Sequence, residues 1–95
     1  MPRRFAQVPA AQGGRYVRQL ASHWSHKFPV EAEGDKAIIQ FPAAVVTLDA
    51  DASGIAVSID APEDATAERL TDVVAKHLDR FAFREAPLSY DWQAG

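Results

Sequence analysis

Ninety-five residues with ten basic and thirteen acidic side chains carry a formal net charge of −3, which argues against a duplex-binding surface. No run approaches the ~20 apolar residues of a membrane span, and with no cysteine there is neither disulfide framework nor thiolate chemistry. The expectation is one domain, residues 1–95, in a reducing cytoplasm, with enough apolar material (47%) for a core without metal or disulfide staples.

The N-terminal MPRRFAQVPA has two arginines but no apolar segment and does not read as a signal peptide. Phe5 to Val8 alternates and stops at Pro9, which predicts a first edge strand. Gln12, Gly13 and Gly14 are expected to break the chain. From Tyr16 to Phe28 the apolar residues Val17, Leu20, Ala21, Trp24 and Phe28 recur at helical spacing, and Pro29 closes the segment. Tyr16, Gln19, His23 and then His26 or Lys27 lie along one flank of that stripe.

Hairpins follow. Val30 to Glu33, Lys36 to Phe41, Val45 to Ala50 and Ile55 to Ile59 each have period two, with turns at Gly34-Asp35, Pro42 and Asp51–Gly54. Asp49 to Gly54, with Asp60 beyond, formally matches a calcium-binding EF-hand loop. The flanks alternate like strands, however, so a hairpin turn is the better reading.

Pro62, Glu63 and Asp64 open a second helix with acidic residues at its positive end. Its stripe is Ala67, Leu70, Val74, His77, Leu78 and Phe81, and Glu68, Arg69, Thr71 and Asp72 are expected to face outward. After Pro87, Leu88, Tyr90 and Trp92 alternate as a last short strand. The order strand, helix, strands, helix, strand predicts an α+β two-layer sandwich, an antiparallel sheet with both helices packed on one face.

The segments HWSHKFPVE (His23–Glu31) and HLDRFAFRE (His77–Glu85) resemble a bacterial family catalogued as domain of unknown function 2218. RYVRQLASH, IIQFP, VTLDAD and the closing alternation to Trp92 extend the resemblance over nearly the whole chain. Two positions depart from the expected pattern: Ala32, where a bulkier apolar residue is expected, and Gln93, where a basic one is. Similar domains stand alone or are joined to siderophore-interacting, flavin-dependent ferric-reductase-like proteins, which implies a link to iron uptake. The resemblance brings no catalytic residues with it.

If the helices lie side by side, His23, His26 and His77 become candidate metal ligands for iron or zinc, with Tyr16 as an oxygen donor. The competing reading makes His77 a core histidine and leaves His26 in water. Arg80 and Arg84, beside Lys27, are candidates to hold a carboxylate or phosphate; the competing reading has them pair with Asp79, Glu85 and the helix dipole. Arg3, Arg4, Arg15 and Arg18 read as ordinary solvated positions.

The expected function is therefore a small accessory domain that binds a metal or a small anionic ligand in siderophore or iron handling. Its ligand residues would be Tyr16, Gln19, His23, His26, Lys27, His77, Arg80 and Arg84, and a siderophore-related protein is a candidate partner. The alternative is a protein-interaction or homodimerisation module. An enzyme ranks last, because no acid, base and nucleophile can be assigned.

Overall fold

A computed structural model describes residues 2–95. The elements are β1 (Arg3–Pro9), α1 (Gly13–Trp24), β2 (Val30–Glu33), β3 (Lys36–Phe41), β4 (Ala44–Asp51), β5 (Gly54–Asp60), α2 (Asp64–Phe81) and β6 (Gln93–Ala94). They form one antiparallel sheet in the order β2-β3-β4-β5-β1-β6, with α1 and α2 side by side on one face.

Period-two patterning accounts for the sheet. Val46, Leu48 and Ala50 on β4, Ile55, Val57 and Ile59 on β5, and Ala37 and Ile39 on β3 all point at the helices and are buried. Cross-strand pairing keeps that face in register: Val46 opposes both Ile39 and Ile59, and Leu48 opposes Ala37 and Val57. Tyr16, Val17, Leu20, Ala21 and Trp24 close over it from α1, and Ala67, Leu70, Val74 and Leu78 from α2.

Of the three two-residue turns, the first and the last are chemically specified. Gly34, with φ +58°, leads the first turn, and the residue after it needs no positive φ, as in a type II′ hairpin. In the last, Asp51 Oδ1 accepts from the Ser53 N–H, the Ser53 hydroxyl and the Gly54 N–H. The segment with the formal EF-hand pattern is thus a β-hairpin turn between β4 and β5.

Several boundaries differ from the sequence reading. The glycine pair does not break the chain; it forms the first turn of α1. A Cβ on Gly13 would stand 3.0 Å from Ile55 Cγ1, so glycine lets the helix start lie close against β5. The helix ends at Trp24 rather than Phe28, and the chain turns so that the Phe28 N–H donates to the Trp24 carbonyl and Phe28 packs on Phe41.

β1 is not an edge, because it lies between β5 and β6. The last strand is Gln93–Ala94, not Leu88–Trp92. Leu88 to Trp92 is instead an extended strap along α2: Leu88 is buried, and the Tyr90 hydroxyl donates to Asp79 Oδ1 at 2.9 Å. An extended chain alternates its side chains whether or not a ladder forms, so the period alone could not separate the two cases. Thr71, expected outward, is buried, with its hydroxyl donating to the Glu68 carbonyl.

Among the solvated arginines, Arg4 is an exception. It reaches from β1 to Asp64 and Glu68 on successive turns of α2, at 2.8 and 3.0 Å. No described helix is long and apolar enough to cross a membrane.

Candidate functional site

α1 has no side-chain cap: Gln12 precedes it and makes no capping bond. Two main-chain donors just ahead of it are engaged from far along the sequence. The Glu85 carboxylate, just past α2, accepts from the Ala11 N–H at 2.8 Å, the Gln12 N–H at 3.3 Å and the Tyr16 hydroxyl. A negative charge belongs at a helix N-terminus, where unpaired N–H groups and the macrodipole favour it.

These bonds hold the Glu85 carboxyl below its ordinary pKa, the Ala11 amide first and the Tyr16 hydroxyl second. The same contact holds the Tyr16 phenol above its usual value, helped by burial; the ring is 5% exposed.

The junction is the floor of a groove of about 410 Å³ between α1 and the segment after α2. Tyr16, Gln19 and Phe81 line it, and Arg15 and Arg84 stand at its mouth. Phe83, 70% exposed, forms one rim with the Arg84 guanidinium 5.8 Å from its ring centre. Among the described residues, neither Arg15 nor Arg84 makes an ion pair, whereas Arg3, Arg4 and Arg18 each do. The groove continues along α1, past Gln19 and Phe81, to Ser22 and His23.

There the two helices do bring remote imidazoles together. His23 and His77 lie with ring centroids 5.7 Å apart, His23 against Phe81 and His77 against Trp24. The His77 Nδ1–H donates to the Val73 carbonyl at 2.7 Å, which leaves Nε2 facing away from the helix backbone. Burial lowers the His23 pKa, and the positive charges of His77, Arg80, Lys27 and His26 lower it further.

The third histidine does not join them. His26 falls in the exposed turn after α1, so the expected angular spacing of His23 and His26 on one helix does not apply. Lys27 and Arg80 are exposed and make no ion pair among the described residues. Tyr16 bonds Glu85, two helical turns from His23, and is not a metal donor beside it. No cluster of three or more His, Cys, Asp or Glu among the described residues is arranged to hold a metal ion. The three-histidine metal centre is therefore corrected to a two-histidine contact flanked by cations.

Of the expected ligand residues, Tyr16, Gln19 and Arg84 meet in the groove, His23 and His77 adjoin it, and His26, Lys27 and Arg80 lie outside. Glu85 and Arg15 were not among them. The signal for Glu85 was indirect: a helix without Ser, Thr, Asp or Asn before it needs an acceptor from elsewhere.

No curated protein matches this chain. The fold is similar to the NMR structure of PA4090 from Pseudomonas aeruginosa, with 31% identity, a TM-score of 0.83, and 98% of this chain and 96% of that one covered. The family described as uncharacterized protein conserved in bacteria (DUF2218) matches residues 5–93, and the chain belongs to that family.

Proposed function

We propose that this domain binds a small anionic ligand with an apolar or aromatic body in the groove between α1 and residues 81–85. The siderophore or iron handling that the resemblance implies is the setting in which we place it. One observation carries the reading: the groove's carboxylate, Glu85, accepts from Ala11, Gln12 and Tyr16, while the two guanidiniums of the groove, Arg15 and Arg84, make no ion pair among the described residues. Guanidinium forks bind carboxylates bidentately, and Phe81 and Phe83 offer ring faces to the rest of the molecule. A catechol carboxylate is a ligand of this class. No group of three or more His, Cys, Asp or Glu among the described residues is placed to hold a bare metal ion, so the ligand we propose is the anion itself.

Three probes test this by amide NMR titration: benzoate, 2,3-dihydroxybenzoate and neutral benzamide. The two anions are expected to shift Gln12, Gln19, Phe83 and Arg84. Arg84→Ala should raise Kd about tenfold, the scale of one charge-assisted contact. Equal binding of benzamide and benzoate, or no response in these amides, would overturn the reading.

A further inference from the structure

The chain treats the two edges of its sheet differently. On one side β6 covers β1, with Arg4 opposite Ala94 and Phe5 opposite Gln93, and the Gly95 N–H donating to the Arg3 carbonyl. On the other side β2 pairs with β3 alone. The Gln40 N–H donates to the Pro29 carbonyl at 3.0 Å, which sets the phase of that ladder. Main-chain groups alternate sides along an antiparallel strand, so Val30 and Ala32 turn their N–H and C=O groups to the open edge. A row of this kind is a template for another strand.

Both faces beside the edge have room for side chains. On the helix side, a hollow of about 370 Å³ runs between β2 and α1, bounded by the small residues Ala21, Ser22, Ser25 and Ala32. It lies on the flank of α1 away from Arg84. On the outer side, a hollow of about 560 Å³ is bounded by Glu31, Glu33, Lys36 and Ile38. Among the described residues neither Glu31 nor Glu33 makes an ion pair.

We propose that the β2 edge binds an extended peptide of alternating basic and small apolar residues, added to the sheet as a further strand. Its main chain would pair with Val30 and Ala32, its apolar side chains would enter the hollow under α1, and its Lys or Arg side chains would face Glu31 and Glu33. Charge selects this occupant over a second copy of the chain. Antiparallel self-pairing of β2 about Ala32 sets Glu31 against Glu33, and pairing about Glu31 sets that residue against itself. Like charges directly opposite one another oppose such pairing.

The test uses the 95-residue chain, ¹⁵N-labelled, with acetyl-Lys-Val-Lys-Val-Lys-amide and its Glu-for-Lys counterpart. The basic peptide is expected to shift the Val30 and Ala32 amides, slow their hydrogen exchange several-fold and lose affinity with added salt. The acidic peptide should do none of this. The double change Glu31→Gln with Glu33→Gln, both at exposed positions, should abolish the preference while the rest of the spectrum is unchanged. The proposal is overturned by no response at Val30 and Ala32, by equal response of the parent chain to both peptides, or by a preference that persists in the double variant. It is also overturned if those amides become protected as the chain's own concentration rises without peptide, since a second copy would then hold the edge.

Discussion

The Tyr16 hydroxyl donates to the Glu85 carboxylate across 69 residues of sequence, and this bond joins the start of α1 to the end of α2. With the Ala11 and Gln12 amides it fixes the chain at the entry to α1 and sets a negative charge beside the helix's positive end. The same bonds hold the Glu85 carboxylate ionised in the groove that Arg15 and Arg84 also line.

Glu85 should therefore make stability pH-dependent in a stated direction. Its folded pKa is lowered from 4.5, so its contribution is complete above about pH 4.5 and is lost as the pH falls through the folded value. Glu85→Gln is expected to lower Tm at neutral pH by roughly 5 °C, the scale of one lost charge-assisted contact in a domain this size. It should also flatten the decline in urea midpoint below pH 4.5. A variant that keeps the parent's acid profile would show that Glu85 is not the group responsible.

His23 predicts a second, separate slope. Its folded pKa is below 6.5, so its contribution is present above about pH 6.5 and is lost as the pH falls through the folded value. His23→Gln should remove that slope from the denaturation midpoints between roughly pH 5 and 7. Because Arg80 and Lys27 act on the same ring, equimolar zinc is expected to leave Tm unchanged. A true three-ligand centre would raise Tm under those conditions, and such a rise would restore the metal reading.

The two turn glycines should differ sharply. At Gly54 (φ +148°) a Cβ would stand 2.1 Å from the Val8 carbonyl oxygen, at the β1–β5 contact. At Gly34 (φ +58°) a Cβ would meet nothing within 4 Å. Gly34→Ala should cost about 1 kcal/mol, for conformation alone. Gly54→Ala should cost about 3 kcal/mol or more, because backbone must move as well. Urea denaturation of both variants checks the difference, and equal midpoints would contradict it.

Much of the architecture was legible because it is local. Val46, Leu48 and Ala50 alternate with Val45, Thr47 and Asp49, and any strand with that pattern buries the first set. Val17, Leu20, Ala21 and Trp24 can share a face only on a helix. Along the strap Tyr90 and Trp92 alternate as strand residues do, so periodicity predicts a strand there. What decides their place is the bond from Tyr90 to Asp79 on α2, and the ladder begins only at Gln93. His26 differs for a similar reason: its spacing from His23 has meaning only if the helix continues, and it stops at Trp24.

By itself, then, the sequence determined which face of each element is apolar, and hence two helices on one side of an antiparallel sheet. Those preferences belong to residues two to four apart, whose side chains see the same local backbone. Only the tertiary structure decided that Glu85 meets Tyr16, that Arg15 and Arg84 line one groove, and that β1 is covered while β2 is open. Those relationships depend on how distant segments close on one another, and no local periodicity records that.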